Sequence, residues 1–193
     1  MLDGNAARLL DAATACFARV GVSKTTLDDV AREAGLARAT LYRYFPGKPA
    51  LVGALVARET VVLTGVLEAA SAHADSLDDA VVAVVLAAAG WLTAHPALSF
   101  VCVAEPEVLL PHLAFEGADR VLAAGARVVA PSLERFLDPA DSERAGEWLA
   151  RMILSYVVTP TDSVDLSDPI SVRRLVADFV VPGFPSIVDS PRG

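Results

Sequence analysis

The 193-residue chain carries 16 basic and 24 acidic side chains for a formal net charge of -8, and 54% of its residues are apolar, with mean hydropathy +0.48. Such hydropathy raises the question of a membrane. The longest uninterrupted apolar run, residues 80–92, is shorter than the ~18 to 20 residues a bilayer-spanning helix needs, so it reads as a buried core helix and no membrane partner is expected. The first residues include Asp3 and Asp11 and show no basic stretch followed by an apolar block, so no signal peptide is read and the cytoplasm is the expected compartment. Two cysteines, Cys16 and Cys102, stand far apart, which argues against a disulfide framework.

The charge is unevenly spread. Residues 1–60 hold eight basic side chains against six acidic ones, a balance of +2, whereas the remaining residues hold eight against eighteen, a balance of -10. A mildly basic N-terminal module therefore precedes an acidic body, and any polyanionic partner belongs to the module.

In chain order, Leu9, Leu10, Ala13, Phe17 and Val20 fall on one stripe, so a first helix is predicted over residues 5–20 with Gly21 as its stop. A second begins after Thr26, whose side chain can cap it with Asp29 in capping-box position, and Gly35 ends it. The segment LARATLYRYF gives a short third helix closed by Pro46 and Gly47. A long fourth is predicted over residues 48–73, about 39 Å at ~1.5 Å per residue. Further helices are predicted over 76–94, 116–137, 140–158 and 169–181, with shorter pieces between Pro96 and Pro111. Ser76 with Asp79 marks one start, and Asp168 followed by Pro169 marks another. No segment alternates with period two, so the fold class is all-α.

The second and third helices, with the tight turn at Gly35, form a helix-turn-helix in which small Ala31 permits a close crossing. Leu41 and Phe45 face inward with Val30, Ala34 and Leu36, leaving Arg38, Ala39, Thr40, Tyr42, Arg43 and Tyr44 on the outside. This outward set suits nucleic acid, because tyrosine and lysine bond phosphate while arginine reads guanine. Tyr42 and Tyr44 also fit the edge of a core, and Lys48, one of only two lysines, also fits a solvated position. Arg8, Arg19, Arg32 and Arg58 read as ordinary surface charges and Lys24 as a solvated turn residue.

The stretch TTLDDVAREAGLARATLYRYFPGKPAL, residues 25–51, resembles the DNA-binding signature of the tetracycline-repressor (TetR) family of bacterial transcription regulators. The close match covers residues 5–58, and the remainder agrees in length and helical layout. The resemblance implies a helix-turn-helix DNA-binding domain over residues 1–47 and a helical effector-binding and dimerisation domain over residues 48–193. It places DNA contacts at Thr26, at Arg38, Ala39 and Thr40, at Tyr42, Arg43 and Tyr44, and at Lys48. One departure is Ala37, where many members place a serine that caps the recognition helix.

The implied partners are double-stranded operator DNA, a second copy of the chain and an apolar small-molecule effector whose binding shifts the lever of the fourth helix and releases DNA. The chain has one asparagine, Asn5, and no glutamine, so the recognition helix lacks the bidentate amide reading of adenine. Base discrimination then rests on Arg38 and Arg43 with guanine and on methyl contacts from Ala39 and Thr40. Trp148, Met152 and Tyr156 on one late helix, and Val172, Leu175, Val176 and Phe179 on the last, form apolar stripes. Two uses are open for them: a four-helix dimer interface, which the family employs, or closure of the monomer's own core.

Between Arg58 and Arg120 there is no lysine or arginine, which suits an apolar effector pocket with Thr64, Trp91, His95, Phe100, Cys102, His112 and Phe115 as candidate lining residues. Taken alone, each histidine fits a surface or satisfied-core role better than ligand contact, and Trp91 fits the core better than a pocket wall. His73, His95 and His112 form no metal-like pair, and no metal or cofactor is expected. None of the G-x-S-x-G, Walker, G-x-G-x-x-G, H-E-x-x-H or C-x-x-C motifs occurs, so the chain is not read as an enzyme. The alternative is a helical ligand-binding or scaffold protein whose helix-turn-helix no longer binds DNA, for which Ala37 and the net charge of -8 speak.

Overall fold

The computed structural model describes residues 4–105 and 118–183, apart from the side chains of Cys102, Val103 and residues 118–121. The described residues form nine α-helices: α1 (Gly4–Lys24), α2 (Leu27–Glu33), α3 (Arg38–Tyr44), α4 (Lys48–Ser71), α5 (Leu77–Ala94), α6 (Pro96–Ala104), α7 (Ala118–Val129), α8 (Pro139–Val158) and α9 (Pro169–Leu175). The fold is all-α, with an isolated bridge between Thr161 and Val164 as the sole β-type pairing among them.

Packing groups the chain into two compact units, residues 1–60 with 93–116 and residues 61–92 with 117–193. This grouping differs from the division at residue 47 expected from the sequence, for a reason visible in the first unit. Leu51 and Leu55 of α4 and Ala97 of α6 are buried in one cluster with Leu9, Leu10, Val30 and Leu41, so the three N-terminal helices share their core with later elements. The second unit closes on a separate cluster, in which Val81, Val84, Val85, Leu133, Leu149, Val172 and Val176 are fully enclosed.

Local chemistry explains most helix ends. Gly21 interrupts α1 with φ 85° and ψ 168°, a region essentially restricted to glycine, after which one further turn runs to Lys24. The Thr26 hydroxyl accepts from Asp29 N–H at 3.1 Å while the Asp29 carboxylate accepts from Thr26 N–H at 3.0 Å, completing the expected capping box. At the other end of α2, Gly35 (φ 62°) turns the chain; its N–H donates to the Arg32 carbonyl at 3.1 Å and Leu36 N–H donates to the Ala31 carbonyl at 2.9 Å. This is a Schellman closure. Ser76 caps α5 through Asp79 N–H, Asp138 caps α8 through Asp141 N–H, and Asp168 caps α9 through the N–H groups of Ile170 and Ser171.

Two predicted helices are shorter than expected. The segment over 116–137 is α-helical only to Val129 and continues as a 3-10 turn over Ala130–Ser132, because Pro131 has no N–H and crowds the carbonyl four residues back. The segment over 169–181 is α-helical to Leu175, then widens into a π turn over Val176–Val180 and tightens into a 3-10 turn over Val181–Gly183. By length and composition α4 and α5 could each cross a bilayer, yet α5 places Ala80, Val81, Val82, Val84, Val85, Ala88 and Ala89 inside the second unit.

The start of α3 is the exception to the capping pattern, because Ala37 has extended dihedrals (φ -66°, ψ 143°) and offers no side-chain hydrogen bond. Ala37→Ser should supply the missing acceptor at unchanged backbone geometry and stabilise the protein by ~1 kcal/mol. Urea unfolding followed by circular dichroism measures this, and an unchanged midpoint would count against a vacant cap.

Candidate nucleic-acid interface

Only one side chain of the seven-residue α3, Leu41, is fully buried, with Phe45 following it into the core. The opposite side is therefore presented to solvent. Arg38, Ala39, Tyr42 and Arg43 are exposed, Thr40 and Tyr44 half-buried. Tyr44 packs against the first unit's cluster and lies 6.4 Å from the Phe45 ring, with the Arg43 guanidinium 5.3 Å from its centroid. Of the two tyrosines, Tyr44 thus has the core-edge position and Tyr42 the open one.

Arg38 is held in place rather than left to wander. Its guanidinium pairs with the Asp28 carboxylate of α2 at 2.9 Å, donates to the Tyr42 hydroxyl at 3.3 Å and lies 5.3 Å from that ring's centroid. The Tyr42 hydroxyl and the Asp28 carboxylate together hold its proton more firmly than usual. Such a fork, fixed at both edges but open to solvent, is a geometry that guanine can use. Thr26 stands at the N-terminus of α2, its hydroxyl also donating to the Asp29 carboxylate at 2.6 Å. That bond, with the one from Thr26 N–H, keeps the Asp29 carboxyl below the usual carboxylate range. Lys48 opens α4 and donates to the Ser23 carbonyl at 3.0 Å, which fixes its ammonium beside the turn preceding α2.

Two arginines read as surface charges have structural partners. Arg8 donates to the Ala34 carbonyl at 2.7 Å and so satisfies the end of α2. Arg58, with 22% of its side chain exposed, bridges α4 to Asp11 and Thr14 of α1 and also pairs with Glu59. Arg19 pairs with Glu33 and Arg32 with Asp29, both on the surface as expected.

The family model for bacterial regulatory proteins of the tetR family matches residues 9–55. An uncharacterised HTH-type transcriptional regulator of Mycobacterium tuberculosis (strain ATCC 25618 / H37Rv), Rv1255c, is 30% identical over 175 residues, covering 91% of this chain and 83% of its own length. The chain belongs to the TetR family of transcriptional regulators. Among solved structures, the TetR family repressor AlkX from Dietzia sp. strain DQ12-45-1b superposes with a TM-score of 0.68 at 21% identity, covering 91% of this chain and 94% of that one. The regulator FadR from Bacillus subtilis, solved with stearoyl-CoA, superposes with a TM-score of 0.62 at 16% identity, covering 89% and 97%. These regulators share the fold; they are not enzymes, and neither is this TetR-family chain.

The expected effector-pocket residues are divided between the two units. Thr64 and Trp91 belong to the second unit, His95 and Phe100 to the first. His112, Phe115 and the side chain of Cys102 lie outside the described residues. Of the expected dimer face, Val172 and Val176 are wholly enclosed and Leu175 is 8% exposed, all within the second unit's own cluster. That burial fits the second use left open for the stripe, closure of the chain's own core, in a cluster shared with residues of α5 and α8. Met152 and Tyr156 are half-buried against the same cluster. Trp148 and Phe179 remain on the surface, 43% and 73% exposed, where they line a cleft of about 290 Å³ with Asp141, Arg144, Ala145, Val180 and Gly183.

His95 has a different task from pocket lining, since its Nδ1 accepts the Leu98 N–H at 3.2 Å and so caps α6. Its Nε2 lies 3.6 Å from the Glu59 carboxylate. Burial, aided by Arg58 and opposed by Glu59, holds the imidazole below its usual pKa of 6.5. The folded state thus favours neutral His95, and protonation would also consume the capping lone pair. Because the unfolded chain takes the proton more readily, stability is complete above 6.5 and falls as pH drops through the lower folded value. Asp29, Asp79 and Asp165 lose their contributions only in the lower carboxylate range. Urea midpoints measured between pH 7 and ~5 should therefore decline, and His95→Asn, which keeps a capping oxygen without titrating, should flatten that decline. Parallel curves for the two proteins would remove His95 as the source.

Proposed function

We propose that the chain is a cytoplasmic, homodimeric repressor that binds a palindromic operator and is released by an apolar small molecule. The observation that carries this reading is the exposed Arg38, Tyr42 and Arg43 on a helix whose single enclosed residue, Leu41, fixes their direction. In this reading residues 1–47 contact DNA, with Thr26 and Lys48 on phosphates, Arg38 and Arg43 on guanine, Ala39 and Thr40 on thymine methyls, and Tyr42 and Tyr44 on the backbone. Residues 48–193 hold the effector and the dimer contact, the latter reduced to the surface part of the late stripes around Trp148 and Phe179.

The effector is proposed to be a long aliphatic molecule. The absence of lysine and arginine between Arg58 and Arg120 supports an uncharged lining. The fold neighbours add weight: one is implicated in n-alkane biodegradation and another was solved with stearoyl-CoA. The 24 residues of α4 span about 36 Å and contribute to both units, with the division after Thr60. A ligand that favours one setting of this helix would alter the spacing of two recognition helices away from the ~34 to 36 Å of successive major grooves.

Selection from a random duplex library with the purified full chain tests the first step. An inverted repeat is expected, and no enrichment by a folded dimer at low salt would favour the scaffold reading, which Ala37 and the net charge of -8 support. With a selected duplex in hand, affinity should fall steeply with salt. Arg38→Ala should erase preference at one guanine per half-site and weaken binding roughly tenfold or more; an unchanged consensus would remove Arg38 from base reading. Stearoyl-CoA and n-hexadecane are the effector probes, and weakened duplex binding with either is expected. No effect from both would overturn the aliphatic class.

A further inference from the structure

We propose that Glu105 is a positioning residue for the DNA-binding module, its carboxylate holding the turn between α1 and α2 so that the N-terminus of α2 is presented in one register. The proposal rests on the DNA-binding reading above and adds to it a residue that lies outside the helix-turn-helix and does not touch nucleic acid.

Glu105 is the C-cap of α6 and, at 5% exposure, the one buried acidic or basic residue among the described residues. Its carboxylate accepts the Val22 N–H at 2.6 Å and the Ser23 N–H at 3.1 Å through its two oxygens. Those two N–H groups converge because Gly21 carries φ 85°, so successive amides form an anion-binding concavity. The fit is tight: a Cβ on Gly21 would lie 2.6 Å from Glu105 Oε2. The dihedral angles require glycine, and a Cβ there would also push the carboxylate out of its seat.

The same short segment is tied by two other elements. Thr25, 2% exposed, donates to the Gly21 carbonyl at 2.6 Å, and Lys48 of α4 donates to the Ser23 carbonyl at 3.0 Å. The two peptide groups of Ser23 are therefore divided between α6, which takes the N–H, and α4, which takes the carbonyl. Three residues on, Thr26 begins α2 as its cap. With these bonds intact the entry to α2 has a single path; without the carboxylate, two part-buried amides lose their acceptor and the turn loosens.

The test uses the full chain and a duplex obtained by selection. Glu105→Ala should accelerate amide hydrogen exchange at Val22 and Ser23, measured by NMR, and weaken duplex affinity roughly tenfold. The selected consensus and the salt slope should stay unchanged, since no base or phosphate contact is removed. Glu105→Gln, which keeps one acceptor and turns a donor toward the second amide, should fall between. Val101→Ala in α6, buried one helical turn before Glu105 and without a hydrogen-bonding side chain, controls for lost stability and should keep its affinity while folded. Unchanged exchange at both amides, faster exchange with unchanged affinity, or equal loss in Val101→Ala would each overturn the proposal. If the wild-type chain selects no duplex, the DNA-binding reading fails on its own, and the exchange measurement alone decides whether Glu105 holds the turn.

Discussion

Enclosure of Leu41 in the cluster that also holds Leu9, Leu10 and Val30 is the contact on which the N-terminal unit depends. A helix of seven residues has no stability of its own in water, since nucleation costs more than so few hydrogen bonds return. Burial of one leucine side chain contributes on the order of 2 kcal/mol, and here that contribution also fixes rotation about the helix axis. Every outward residue of α3 inherits its direction from that single inward one, and the backbone closures at Gly35 and Thr26 do the same for α2.

The charged groups on this face are engaged before DNA arrives. Arg38 is paired with Asp28, and the Lys48 ammonium rests on a carbonyl. This does not make binding unfavourable, because an exposed ion pair contributes little in water whereas a bidentate contact to guanine is several times stronger. In the proposed reading, exchange of Asp28 for guanine is therefore favourable, and the resting pair keeps the guanidinium from adopting its many other rotamers. Pre-organisation of that kind lowers the ordering cost at the moment of contact.

Features set by neighbours in sequence were legible from the sequence. The capping box at Thr26, the Ser76 cap, the Asp168–Pro169 start, the glycine turns at 21 and 35, and the inward Leu41 and Phe45 all depend on spacings of a few residues. Features set by distant chain segments were not. Arg8 meets Ala34 across 26 residues, Arg58 meets Asp11 across 47 and Glu105 meets Val22 across 83, so nothing local marks them as different from solvated charges. The stripe on α9 shows the same limit from the other side: periodicity reveals that Val172, Leu175 and Val176 share a face, but not that this face meets the chain's own helices. Pro131, by contrast, is a local signal inside the predicted 116–137 helix, and the α-helix ends two residues before it.

At its two glycines the crossing of α7 with α8 holds nothing larger than an alanine methyl between the backbones. A Cβ on Gly125 would meet Ala150 Cβ at 2.6 Å, and one on Gly146 would meet the Ala126 carbonyl oxygen at 2.8 Å. Contacts between backbones have no rotamers through which to relax, so this helix pair behaves as a stiff strut within its unit. The valine- and leucine-rich cluster shared with α5 differs in this respect, since its packing is distributed among many side-chain torsions. The unit thus has a mechanically graded interior, unyielding along one pair of helices and pliable along another.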